Sequence, residues 1–153
     1  MMNEILKNRD FRILCVDDEV DILEALKTYL ELSGYNIDIV SSAREALNLI
    51  KQTTYHIVLL DINMPDMNGL ELLREIKMMN HDIVVIMITA YSTTTKVAES
   101  RFLGAFDYLL KPLQDVNAVA DAVKRAADHI NKWGTALTDT RETRKKQAPT
   151  GRF

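Results

Sequence analysis

Four short apolar runs in this chain end in residues that can do chemistry together. Asp17-Asp18 closes Phe11–Val16, Asp61 closes His56–Leu60, Thr89-Ala90 follows Ile83–Ile88, and Lys111-Pro112 follows Ala105–Leu110. Taken singly, each acid reads as an exposed turn residue and the lysine as a surface charge. Their recurrence at the ends of successive apolar runs does not read that way. Three carboxylates gathered at one place repel one another unless a cation neutralises them, and hard oxygen ligands with open positions suit Mg²⁺, which binds at about 2.1 Å and keeps several of its waters. A lysine adds a point charge and a threonine a hydroxyl, a combination suited to a phosphoryl group rather than to a neutral substrate.

The four ends meet only if the apolar runs are strands of one sheet, and the pattern between them supports this. After the first run, Ile22, Leu23, Leu26 and Leu30 recur at helical spacing, and Ser33-Gly34 supplies a C-terminal stop. Asn36–Val40 reads as a second strand, and Ser41-Ser42 offer hydroxyls to cap a helix carrying Ala46, Leu47, Leu49 and Ile50. A helix over Gly69–Met79, another near Thr93–Phe102 and a last one over about Asp115–Lys132 complete the alternation. Five strands alternating with five helices predict an α/β domain with helices on both faces of a parallel sheet. In such a sheet ligands sit beyond the carboxyl ends of the strands, where these polar residues stand.

Composition bounds the rest. The 153 residues fit one domain with a modest tail, and 47% hydrophobic against 27% charged residues can bury a sizeable core. With 19 basic and 22 acidic residues the net charge is −3, too balanced to point to nucleic acid or an anionic membrane. Cys15 is the only cysteine, which excludes an internal disulfide and any multi-cysteine metal site; its place in an apolar run reads as packing. No secretory signal or membrane-length apolar stretch occurs, so a cytoplasmic location is expected. His56, His81 and His129 are scattered and form no zinc site, and no Gly-rich nucleotide loop is present. Trp133 reads as packing the end of the last helix, with a partner contact as the alternative. Residues 1–10 form an N-terminal extension. Residues 133–153 carry five basic against two acidic side chains after position 134 and few apolar ones, which reads as a basic, solvated tail or the start of a linker.

The order Val16-Asp17-Asp18, Leu60-Asp61-Ile62-Asn63-Met64-Pro65-Asp66-Met67-Asn68-Gly69, Ile88-Thr89-Ala90 and Gly104-Ala105-Phe106-Asp107-Tyr108-Leu109-Leu110-Lys111-Pro112 resembles the receiver domain of two-component response regulators. The likeness covers about Arg12 to Lys132 and implies a receiver domain over 11–132. It implies a flavodoxin-like doubly wound five-stranded parallel sheet in the order 2-1-3-4-5, with five helices. It implies that Asp61 accepts a phosphoryl group from a histidine kinase or phosphotransfer protein. It further implies that Asp17 and Asp18 serve Mg²⁺, with Asp18, Asp61 and the backbone carbonyl of Asn63 as direct ligands, and that Lys111 and Thr89 meet the phosphoryl oxygens. Thr89 and Tyr108 match the family's switch pair, Asn63 and Tyr91 the positions that tune the phosphoryl lifetime, and Lys111-Pro112 a cis peptide. The output surface would lie on the fourth helix, fifth strand and fifth helix, docking a downstream protein or forming a homodimer on phosphorylation. The chain would then be a signalling switch with self-phosphorylating and self-dephosphorylating chemistry, not an enzyme.

Two alternatives stay open. The chain could be the receiver part of a larger regulator or hybrid histidine kinase whose output domain lies elsewhere; no helix-turn-helix is visible here, so DNA binding would belong to that part. Haloacid-dehalogenase-like phosphatases also use a strand-end aspartate with Mg²⁺, but those enzymes resemble one another in Asp-x-Asp, whereas this chain has Asp61-Ile62-Asn63 and lacks the length for a cap.

Overall fold

β1 (Arg12–Val16), β2 (Asn36–Val40), β3 (Ile57–Leu60), β4 (Val84–Thr89) and β5 (Asp107–Leu110) pair in parallel in the order β2-β1-β3-β4-β5. This computed structural model describes residues 5–90, 93–112 and 116–147, with side chains to Trp133. Every residue of β3 and β4 is buried, which explains why these strands read as unbroken apolar runs and not as alternating ones.

Pleating sends alternate side chains to opposite faces, and each face has its own helices. Ile13, Cys15, Ile57, Leu59, Ile86 and Ile88 pack against Leu23, Leu26 and Leu30 of α1 (Val20–Leu32) and Val119, Val123 and Ala126 of α5 (Val116–Gln147). Leu14, Val16, Val58, Leu60, Val85 and Met87 pack against Ala43 and Ala46 of α2 (Ala43–Gln52) and Leu72, Leu73 and Ile76 of α3 (Gly69–Met79). α4 (Thr94–Phe102) is the least embedded, with Ser100 its only buried residue. Side-chain caps set three helix starts: Ser42 accepts from the Glu45 amide, Asn68 from Leu70 and Thr93 from Lys96. The doubly wound five-stranded architecture is the one expected. β1 lies between β2 and β3, so the chain changes direction there and opens a crevice at the carboxyl ends of β1 and β3.

Two features differ from the sequence reading. α5 continues as helix to Gln147, past the end near Lys132 that the sequence predicts. Trp133 stands 52% exposed, touching His129 and lying under the Lys132 ammonium, so it packs only in part. The segment before β1 is docked: the Asn131 side chain accepts from the Leu6 amide at 2.8 Å and donates to the Leu6 carbonyl at 3.0 Å. A short 3₁₀ turn, Asn8–Asp10, then leads into β1. Among the described residues no helix is long and apolar enough to cross a membrane.

Candidate functional site

The crevice at the carboxyl ends of the strands gathers the residues picked out by their spacing. Asp17 follows β1 and Asp61 follows β3, both buried, and the Asp61 amide extends the ladder by bonding to the Val16 carbonyl at 3.0 Å. Lys111 follows β5 directly, and the peptide bond that joins it to Pro112 is cis. Its Nζ lies 2.7 Å from Asp17 Oδ2 and 3.4 Å from Asp61 Oδ2. One ammonium group thus bridges carboxylates from two strands and arrives from a third.

Burial lifts the Asp17 carboxyl above its ordinary value, against the opposing pull of its bonds from Lys111 and the Glu19 amide, with the Asp61 charge adding to the rise. Burial alone would lower the Lys111 ammonium, but its bonds to Asp17 and Glu19 and the charges of Asp17 and Asp61 outweigh that and hold it above the usual lysine value. This is the electrostatics of an acidic pocket that favours cations. Asp18 is exposed at the rim, and one carboxylate oxygen each from Asp17, Asp18 and Glu19 lie within 4.8 Å of one another. Asn63 sits at the turn after β3, its amide directed at Asp61 Oδ1 at 3.4 Å. The donor set is entirely hard oxygen with excess negative charge, which fits Mg²⁺ and does not fit a soft metal. Burial and the Asp17 charge push the Cys15 thiol up to about 12, which agrees with a packing role for it.

Thr89 ends β4 fully buried. By the pleat it shares a face with Met87, and Tyr108, opposite Met87 in the β4–β5 register, packs on that same side. Burial and the Asp61 charge both raise the Tyr108 hydroxyl. Tyr91 lies outside the described residues.

Three residues at the site were not singled out by the sequence reading. Glu19 joins the cluster through a 3.0 Å bond from Lys111 Nζ to its Oε1; it was visible only as the third acid after β1. Asp66, in the loop that begins at Asp61, accepts from the amides of Ala43 at 3.2 Å and Arg44 at 3.1 Å, capping α2 from a different element. Gly69 opens α3 so close to the loop that a Cβ there would lie 2.1 Å from the Asp61 carbonyl oxygen.

The family model for the response regulator receiver domain matches residues 13–124. This chain is a response regulator receiver domain. It is 38% identical over 115 residues to the transcriptional regulatory protein ZraR of Escherichia coli strain K12, covering 75% of this chain and 26% of that protein. Sporulation initiation phosphotransferase F of Bacillus subtilis strain 168 is 34% identical over 125 residues, covering 82% of this chain and 94% of that protein. Among solved structures, the response regulator protein TrrA from Thermotoga maritima in complex with Mg²⁺–BeF is 37% identical with a TM-score of 0.69, covering 76% of this chain and 98% of that one. The receiver domain therefore spans about a quarter of the first of these relatives and nearly all of the second. Receiver domains are phosphorylatable signalling switches of two-component systems and bind Mg²⁺ at an acidic pocket, and this one carries such a pocket.

Proposed function

We propose that Asp61 is the phosphoacceptor, taking a phosphoryl group from the phosphohistidine of a histidine kinase or phosphotransfer protein. The observation that carries the reading is the single Lys111 ammonium drawn between Asp17 and Asp61 from three different strand ends. An Asp61 carboxylate oxygen attacks phosphorus, the P–N bond of the donor breaks, and its electron pair leaves with the imidazole, which takes up a proton. Asp18, Asp61 and the Asn63 carbonyl would hold Mg²⁺, with Asp17 beside them. When bound, the ion spreads the charge of the phosphoryl oxygens. Lys111 neutralises the same oxygens, and the acyl phosphate left on Asp61 is labile to water, so the mark erases itself. Asn63 and Tyr91 flank the path of that water and tune the lifetime.

Thr89 bonds a phosphoryl oxygen and Tyr108 turns into the space so released, altering the surface of α4, β5 and α5 where a downstream protein docks or a second copy pairs. Reversing a 1:99 equilibrium to 99:1 takes about 5.5 kcal/mol, within reach of a few charge-assisted bonds to one phosphoryl group. The receiver unit runs over 11–132, with a basic tail or linker after it, and works in the cytoplasm. A second reading, a receiver unit within a larger regulator or hybrid kinase, is favoured by the 26% coverage of ZraR. Sporulation initiation phosphotransferase F, covered to 94%, is itself little longer than such a unit.

Beryllofluoride, a stand-in for a phosphoryl group on a carboxylate, tests the reading. Addition with Mg²⁺ is expected to shift the amide resonances of Asp61, Thr89 and Lys111, and to shift none of them in Asp61→Asn. Equal shifts in the variant, or none in the wild type, would remove Asp61 from the role.

A further inference from the structure

The Lys111 ammonium has three hydrogens and three carboxylate neighbours: Asp17 Oδ2 at 2.7 Å, Glu19 Oε1 at 3.0 Å and Asp61 Oδ2 at 3.4 Å. The lysine side chain is 8% exposed and those of Asp17 and Asp61 5%, but that of Glu19 is 60% exposed. Glu19 therefore reaches in from the rim and closes over the ammonium on the solvent side. Its backbone is fixed: the amide is held by Asp17 Oδ1 at 2.9 Å, and the carbonyl accepts from Ile22 and Leu23 as the start of α1. The side chain thus leaves from a set point and crosses to an element 92 residues away in sequence.

We propose that Glu19 is a positioning residue for Lys111, an assignment that rests on Asp61 being the phosphoacceptor. A lysine head is a compact point charge on a four-carbon stem and carries no directional preference of its own. Asp17 from below and Glu19 from the rim take two of its three N–H groups and leave the third turned towards Asp61, where the oxygens of the incoming phosphoryl group arrive. The stem is thereby ordered before the reaction, so its rotamer entropy is not lost in the transition state. A carboxylate that only raised the negative charge of the rim, or only attracted Mg²⁺, would act whether or not Lys111 were present.

A double-mutant cycle separates these cases. Rates of Asp61 phosphorylation by acetyl phosphate at saturating Mg²⁺ are compared for the wild type, Glu19→Ala, Lys111→Met and the double variant. Glu19→Ala is expected to slow the wild type by about two- to fivefold, the scale of one partly exposed ion pair, and to leave Lys111→Met unchanged. Glu19→Gln, whose amide oxygen still accepts a hydrogen bond, should recover part of the loss. Independently of any phosphorylation, the Lys111 ammonium resonance should be sharp in wild type and broadened by solvent exchange in Glu19→Ala. Equal slowing in both backgrounds, or an unchanged rate and resonance in Glu19→Ala, overturns the proposal. Failure of the underlying reading shows separately, as labelling that persists in Asp61→Asn or never appears in wild type, and the proposal falls with it.

Discussion

The amide of Lys111 donates a 2.9 Å hydrogen bond to the carbonyl of Thr89. This bond continues the β4–β5 ladder just past the Thr89–Leu110 pair, so the two residues proposed to meet the phosphoryl oxygens are tied through main chain. Truncating the threonine side chain leaves that tie intact. Thr89→Ala is therefore expected to accept a phosphoryl group on Asp61 much as the wild type does, while failing to transmit it. Amide shifts across α4 and β5 on adding beryllofluoride should be lost in Thr89→Ala although the Asp61 shift remains; full shifts at α4 would take Thr89 out of the switch.

Gly69 gives a sharper steric prediction. A Cβ there would meet the Asp61 carbonyl oxygen at 2.1 Å and the Ile62 Cα at 2.5 Å, both main-chain atoms that cannot swing aside. Gly69→Ala must displace the residue carrying the proposed phosphoacceptor, with a stability cost of about 1–3 kcal/mol and a marked loss of labelling. Gly34 is the contrast. Its φ of +95° strains any L-residue, but its nearest neighbour atom would be 3.5 Å away, so Gly34→Ala should cost about 1 kcal/mol and leave labelling unchanged. Urea unfolding and mass spectrometry on the same two variants check both halves.

His56 makes stability depend on pH. Its Nδ1 accepts the Arg12 amide at 3.0 Å, which requires an unprotonated nitrogen there. Burial, then the Arg12 charge, lower its pKa below the ordinary 6.5, with Asp10 pulling the other way. The unfolded chain thus takes up the proton more readily than the folded one. The contribution of His56 to stability is full above pH 6.5 and is lost as pH falls through the depressed folded value. His56→Gln removes the titration, so wild type is expected to lose urea resistance relative to the variant on going below pH 6.5. Parallel curves for the two proteins would contradict this.

Asp66 couples the loop after β3 to α2. Its carboxylate accepts from two amides of the first turn of that helix; burial pushes its pKa up, but the bonds from the Arg44 and Ala43 amides and its own amide, with the Arg44 charge, together outweigh that and hold the carboxyl below its usual range. Asp66→Ala is expected to cost about 1 kcal/mol of stability, the scale of a lost helix cap, and to raise hydrogen exchange at Ala43 and Arg44. Unchanged exchange there would show that the cap is dispensable.

The fold was legible because its signals were local and mutually consistent. Apolar runs of strand length at Ile57–Leu60 and Ile83–Ile88, helical spacing from Ile22 to Leu30, and Gly34 after α1 each act within one element, and the alternation of types dictates the parallel sheet. The convergence of Asp17, Asp61 and Lys111 followed from the same pattern, since strand ends in such a sheet share one edge. What escaped depends on contacts between elements. Nothing in the local sequence says that Glu19 bends back over Lys111, that Asp66 serves a helix 22 residues upstream, or that Gly69 lies against the Asp61 carbonyl. The docking of Leu6 on Asn131 is likewise a pairing of main chain with a side chain far along the sequence, without an apolar period to announce it. The helical run of α5 to Gln147 escaped for a different reason: beyond Trp133 the chain has few apolar residues, and without them periodicity does not mark a helix.

The central claim, that Asp61 carries the phosphoryl group, is tested most directly by intact-mass spectrometry after incubation with acetyl phosphate, with and without Mg²⁺, on the wild type and Asp61→Asn. The account predicts a gain of one phosphoryl group in the wild type with Mg²⁺ and none in the other three samples. An adduct that persists in Asp61→Asn, or that forms equally well without Mg²⁺, would contradict it.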